Sequence, residues 1–282
     1  MIITVNGETF DLSRYGSMHD RRFDMTLDVV RALGGGAAIE VGAHPWAMTA
    51  RLLREPSVRL LATISAEEVT AWPDEIPVRA APYSLTFADG ARADFTNYSA
   101  NVERTMFTVG ERADIVLACE IIEHLTRAPH VMMLNINSWL KPGGQVVLTT
   151  PNGAQFDNPL RVKAKMPELR YSTYSRHNCL FTLDTLTDLV ETCGFAIERA
   201  EYWSPYDRHG PSNFYKLLMR LPGRFFRDKF AQTLVVVARK VEERTEAARL
   251  PKAYEPSAQW EHILDGAVAA KAPRVTAPDP VK

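Results

Sequence analysis

Short apolar runs alternate with amphipathic stretches through the middle of this chain, and that alternation organises the rest of the reading. Ala37–Val41, Val58–Ile64, Ala113–Ala118 and Gln145–Thr150 have the length and apolar character of buried strands. Asp24–Leu33, Ala47–Leu53, Val131–Leu140 and Leu183–Cys193 carry their apolar residues at helical spacing. Gly34-Gly35-Gly36 stops the first of these helices, and Gly194 is well placed as the C′ glycine of the last. Lys141-Pro142-Gly143-Gly144 reads as a turn, and Phe195–Tyr202 and Thr233–Ala238 as two late strands; the stretch from Ile64 to Phe95 shows no clear period. Strands alternating with helices predict an α/β fold, a mainly parallel sheet covered on both faces. Residues 1–36 read as a lead-in with one helix, 37–240 as the main domain, and 241–282 as a charged helical extension ending in a disordered Ala-Pro-rich tail.

In an open parallel sheet, ligands bind outside the carboxyl ends of the strands. Four loops are thereby selected, around residues 42–49, 63–68, 120–126 and 149–158. Glu40 ends the first strand, where a buried carboxylate needs a partner. Gly42 behind it lets backbone approach a ligand, and a helix start there offers free N–H groups. The run Cys119-Glu120-Ile121-Ile122-Glu123-His124-Leu125 leaves the third strand. If a helix begins there, Glu120, Glu123 and His124 share one face of its first turn. Such a face is a hard-cation site, an acid/base site, or an ordinary acidic first turn favoured by the helix dipole. His177, in Arg176-His177-Asn178, is a candidate further ligand or base; the bland alternative is a surface-loop histidine.

Composition narrows the field. A net charge of −1 argues against a generic nucleic-acid binder, so no DNA partner is expected. No apolar run approaches the roughly 20 residues of a membrane span, and the N-terminus lacks the pattern of a signal peptide. Three scattered cysteines do not make a disulfide framework, which fits a reducing cytoplasm. The stretch 205–230 mixes aromatic and basic residues: it is a helix packed on the sheet or, through 214–230, a peripheral contact with the cytoplasmic face of a membrane. Tyr171, Tyr174, Phe181, Trp203 and Tyr206 are either core or a stacking platform for a sugar ring.

The order IEVGA, ADIVLACEIIEHL, LKPGGQVVLTTPN, RHNCLFTLDTLTDLVETCGF resembles the class I S-adenosylmethionine-dependent methyltransferases over roughly residues 15–240. That resemblance implies a Rossmann-like seven-stranded sheet and S-adenosyl-L-methionine as cofactor, bound around Glu40, Gly42, Ala43, Thr63, Asn101 and Cys119. Asn101–Arg104 before the CEIIEHL run, with TTPN and RHN after it, is similar to methyltransferases of bacterial cell-surface glycan clusters. The ExxEH, TPN and RH block is also similar to the metal-dependent small-RNA 3′-terminal 2′-O-methyltransferases. It implies a divalent cation (Mg, Mn, Fe or Zn) on Glu120, Glu123, His124 and His177, with Glu120, His124 and His177 as catalytic groups. The chain departs from the family in two places that bear on the cofactor. Its glycine-rich loop has become Gly42-Ala43-His44-Pro45-Trp46, and Thr63 stands where an acid usually meets the ribose. The reading that follows is O-methylation of a hydroxyl on a bacterial glycan or its precursor. The alternatives are an RNA 3′ end, a phenolic or quinone-like acceptor, or a non-catalytic binding subunit with a decayed cofactor loop.

Overall fold

A computed structural model describes residues 1–66, 77–125, 128–154, 179–204, 231–249 and 251. The described strands form one ten-stranded sheet. Its elements, in chain order, are β1 (Ile2–Val5), β2 (Glu8–Asp11), α1 (Ser13–Ala32), β3 (Gly36–Val41), α2 (Ala47–Leu52), β4 (Val58–Ser65), β5 (Arg79–Phe87) and β6 (Arg92–Ser99). There follow β7 (Ala113–Cys119), a single 3-10 turn (Ile122–His124), α3 (Pro129–Trp139), β8 (Leu140–Pro151), α4 (Leu183–Thr192), β9 (Phe195–Trp203) and β10 (Thr233–Lys240).

The strand order is β2-β1-β5-β6-β4-β3-β7-β8-β10-β9. The seven strands from β6 to β9 match the seven-stranded sheet that the resemblance implies. Six run parallel and β10 runs against both its neighbours. β5, β1 and β2 are an antiparallel addition on the β6 edge. Part of the lead-in is therefore sheet. Asn6 and Gly7, at φ 48° and 88°, turn β1 directly into β2, the left-handed pair that a two-residue hairpin requires. Of the unassigned stretch before Phe95, the described residues from Arg79 on are β5 and the start of β6.

Lys141-Pro142-Gly143-Gly144 is not a turn between elements. Leu140 pairs with Ala113 and Gln145 with Ile115, so the four residues loop out opposite Asp114 alone. Asp114 fixes this bulge by accepting from Lys141 Nζ at 2.8 Å and from the Ala37 amide at 2.9 Å. The extension differs from expectation too. Residues 241–249 are not helical, and they run across α3 and α4: Asn137 donates to the Glu242 carbonyl, the Ala248 amide donates to the Thr192 carbonyl, and Arg249 pairs with Asp188. A truncation at Lys240 would remove these contacts.

Two apolar layers sandwich the sheet. α1 and α2 bury Phe23, Leu27, Val30, Met48 and Leu52 on one face; α3 and α4 bury Met132, Ile136, Trp139, Leu186 and Leu189 on the other. α4 starts on a reciprocal cap, in which Thr182 Oγ1 accepts from the Thr185 amide and Thr185 Oγ1 accepts from the Thr182 amide. Thr182→Ala is expected to cost about 1 kcal/mol of stability in urea denaturation; an unchanged midpoint would show that packing alone holds this end.

Candidate active site

The carboxyl ends of β3, β4 and β7, with α1 laid across them, enclose a cleft of about 280 Å³. Its floor is Glu40, Val41, Gly42 and Ala43 from the end of β3, and Leu117, Cys119, Glu120 and Ile121 from β7 and its exit. Tyr15, Arg22, Phe23 and Thr26 form the α1 wall, spaced along one helical face. Ser65 and Ala66 close the β4 side, and His44, Pro45 and His124 stand at the margin.

Gly42 is at φ 79°, and a Cβ there would press into the Ile121 side chain at 3.0–3.2 Å. Glycine is needed for both reasons. The altered loop does not plug the cleft. Trp46, itself left-handed at φ 70°, is 2% exposed and turns away to pack on Tyr83 and Phe95, with ring centroids at 5.4 and 6.0 Å. Its bulk serves the core and leaves the backbone edge of the loop to the ligand.

Glu40 is 5% exposed, and its Oε2 accepts a 2.5 Å hydrogen bond from Thr49 Oγ1 of α2. Burial pushes its carboxyl up to about 8, against the opposing effect of that bond. Cys119 is likewise pushed up to about 12 by burial, so its thiol stays protonated and is no nucleophile.

The Glu-Ile-Ile-Glu-His run does not begin a helix. Glu120 takes a left-handed conformation at φ 55°, and only the short turn Ile122–His124 follows. The three polar groups therefore diverge from the expected single face. Glu120 leans to α1 and pairs with Arg22 at 2.9 Å. Glu123 is 1% exposed and accepts from Thr150 Oγ1 at 3.0 Å on β8. His124 faces the cleft, its Nε2 3.9 Å from Glu123 Oε1. Burial raises the carboxyl pKa of both glutamates; Arg22 opposes this at Glu120, and the Glu120 charge adds to it at Glu123. Oε1 of each is buried without a hydrogen-bond partner.

Among the described residues no three His, Cys, Asp or Glu side chains are gathered closely enough to hold one metal ion. The expected convergence of Glu120, Glu123 and His124 is thus not present, because the left-handed Glu120 replaces a helical turn. His177 lies outside the described residues, as do 214–230, Tyr171, Tyr174 and Tyr206. Phe181 is core at 2% exposed.

Of the cofactor candidates, Glu40, Gly42, Ala43 and Cys119 line the cleft, while Thr63 and Asn101 do not. Thr63 pairs with Glu40 across the sheet, but its hydroxyl donates to buried Asn97 Oδ1 at 2.8 Å. Ser65, two residues on, holds the position next to the cleft. Asn101 is 6% exposed and accepts from the Glu103 amide, shaping the loop after β6. Sequence reasoning missed the α1 wall, because Tyr15, Arg22 and Phe23 lie in a segment read as a lead-in. The signal was there in their shared helical face.

A methyltransferase-domain family profile matches residues 41–200, more than half of the chain and the whole run from the end of β3 to β9. The chain belongs to this methyltransferase family. Ubiquinone biosynthesis O-methyltransferase from Cereibacter sphaeroides is 28% identical over 190 residues, covering 67% of this chain and 68% of that protein. Among solved structures, the Haloferax volcanii complex of the Trm112 methyltransferase activator with a putative methyltransferase matches with a TM-score of 0.53 at 13% identity, covering 82% of this chain and 95% of that one. The N-methyltransferase NodS from Bradyrhizobium japonicum WM9, bound to S-adenosyl-L-homocysteine, matches with a TM-score of 0.46 at 14% identity, over 79% of this chain and 87% of that one. By its family match the chain is a methyltransferase, with S-adenosylmethionine as its cofactor. The residues of the methyltransferase's cleft suit such a guest: a backbone cradle at Gly42 and an orphaned carboxylate oxygen on Glu120. Its described helices include none long and apolar enough to cross a membrane.

Proposed function

We propose that this methyltransferase acts on oxygen, methylating a hydroxyl of a bacterial surface glycan or glycan precursor. The observation that carries the reading is the exit of β7, where an imidazole stands on the cleft margin with a buried carboxylate behind it. S-adenosylmethionine supplies the methyl group and its own leaving group. What remains for the protein is to hold a hydroxyl in line and take its proton. His124 is the base in this reading: it faces the cleft, with the Glu123 carboxyl 3.9 Å behind its Nε2. Gly42 and the α1 wall orient the donor, and Leu117, Ile121 and Phe23 keep that space apolar.

The glycan class rests on the order of the NVER, TTPN and RHN motifs. A phenolic acceptor is the second reading, favoured by the relationship to ubiquinone biosynthesis O-methyltransferase. The two orphaned oxygens of Glu120 and Glu123 favour a further element, a divalent cation. As they stand, Glu120, Glu123 and His124 are not gathered closely enough for one ion, so in this reading they would have to be drawn together around it, with His177, before it could lower the pKa of an acceptor hydroxyl.

Transfer of labelled methyl from S-adenosylmethionine to a panel of sugar nucleotides, oligosaccharides, catechols and RNA 3′ ends tests the proposal, with and without chelator. Labelled methyl ether on a sugar supports it. Product on phenol or RNA alone replaces the acceptor class, and calorimetry showing no cofactor binding at millimolar ligand would reduce the chain to a binding subunit.

A further inference from the structure

β4 reaches the cleft without an acid. Its last residues, Ala62-Thr63-Ile64-Ser65, carry two hydroxyls and no charge, and Ser65 with Ala66 closes that side of the cleft. In nucleotide-binding sheets of this kind an Asp or Glu beyond the second parallel strand accepts from the ribose. Two carboxylates do reach the cleft floor, Glu40 from β3 and Glu120 from the β7 exit, but both are turned elsewhere. Glu40 accepts from Thr49 of α2, and Glu120 pairs with Arg22 of α1.

What β4 presents instead is the end of a polarised chain of hydrogen bonds. Thr63, Ser65 and Asn97 are all buried, and Asn97 lies on β6 in register with Thr63. Thr63 Oγ1 donates to Asn97 Oδ1 at 2.8 Å, and Asn97 Nδ2 donates to Ser65 Oγ at 3.0 Å. Each bond fixes the next. The Thr63 proton holds the amide with its nitrogen toward Ser65, so Ser65 Oγ is an acceptor on that side. Its own proton has a longer contact, 3.2 Å, with the Oδ1 that Thr63 already occupies. Of the donors in this network, the Ser65 hydroxyl is the one that turns to a ligand with the smallest loss. It is also the one whose residue lines the cleft. The cleft therefore meets a donor at the end of β4, in the place where a carboxylate would be an acceptor.

We propose that Ser65 is the ribose-specificity residue of this methyltransferase: it donates one hydrogen bond to one ribose hydroxyl oxygen of the cofactor, and no carboxylate clamps the vicinal diol. The inference rests on the cofactor reading of the cleft and on His124 marking its methyl end. The strand order reverses between β3 and β7, and the cleft spans that switch point. With the methyl group at His124 on the β7 side, the nucleoside extends across β3 to the end of β4, where Ser65 stands. A carboxylate accepts from both hydroxyls at once. A single donor engages one oxygen and is indifferent to the other.

The test is calorimetric titration of S-adenosylhomocysteine and its 2′-deoxy and 3′-deoxy analogues into the full chain. One analogue should bind the wild type about 2–10-fold more weakly than the parent, the worth of one neutral hydrogen bond, and the other should match the parent. Ser65→Ala should weaken the parent by the same factor and leave the weaker analogue as it is in the wild type, because both changes remove the same bond. Ser65→Asp provides a second variant: with an acid installed, both analogues should fall roughly 10–100-fold below the parent. Losses of that size for both analogues in the wild type overturn the inference, since a charged acceptor then reads the diol, with Glu67 and Glu68 the first to mutate. Equal affinity for all three ligands, or a ratio unmoved by Ser65→Ala, overturns it too. In each of these cases the cofactor reading stands. Absence of binding by all three overturns both.

Discussion

His124→Ala is expected to lower kcat for methyl transfer by about 10²–10⁴-fold, the usual contribution of a positioned general base. The affinity for S-adenosylmethionine should change little, because His124 stands at the margin of the cleft and not on its floor. That split separates a base from a residue needed for binding or folding. Glu123→Gln should give a smaller loss, since it leaves the imidazole in place. A fall of less than about tenfold for His124→Ala would indicate transfer by positioning alone. Activity abolished by chelator and restored by one divalent metal would instead favour the cation reading of the same cluster.

Stability of the ligand-free protein should fall as pH rises from about 5 to about 8, opposite to the trend set by surface carboxylates in ion pairs. A carboxyl whose pKa is raised by folding holds its proton more firmly in the folded chain than in the unfolded one. Stability is therefore fullest below the unfolded value of 4.5 and declines until the folded value is passed. For Glu40 the folded value is about 8. Burial moves Glu120 and Glu123 in the same direction. Each such group contributes a slope of up to about 1.4 kcal/mol per pH unit. Urea midpoints measured every half unit should trace the decline. Glu40→Gln should remove one proton's worth of it and be more stable than the wild type at pH 8. A flat profile in the wild type would mean that water or a bound ion already compensates these carboxylates.

How far the sequence carried depended on the kind of signal. The β3, β4, β7 and β8 runs were legible because buried parallel strands are continuous in apolarity, and α4 because its helical spacing ends on a C′ glycine. β1 and β2 were harder: four residues each, with only the Asn6-Gly7 dipeptide to announce them. The KPGG bulge looks like a turn to any local reading, since only the register against Ala113 and Ile115 shows that the strand resumes. At the cleft, the positions of Glu40, Gly42 and His124 were legible because the ends of parallel strands form the mouth of such a sheet. The grouping of Glu120, Glu123 and His124 went astray on one backbone angle, the positive φ of Glu120, which residue type does not announce. Thr63 failed for a different reason: its place in the pairing was right, but Asn97 on the neighbouring strand claims its hydroxyl.

α1 is held at both ends. Its N-terminus follows directly from a hairpin hydrogen-bonded into the sheet edge, where the Leu12 amide donates to the Met1 carbonyl, and its C-terminus passes through three glycines into β3, the strand that bears Glu40. A wall anchored in this way does not swing out like a door. Ligand exchange must instead work by unlatching side chains, above all the Arg22–Glu120 pair that spans from wall to floor. The N-terminal ribbon thus acts as a doorpost, and trimming a few residues from the start of the chain would loosen the frame of a cleft that those residues never touch.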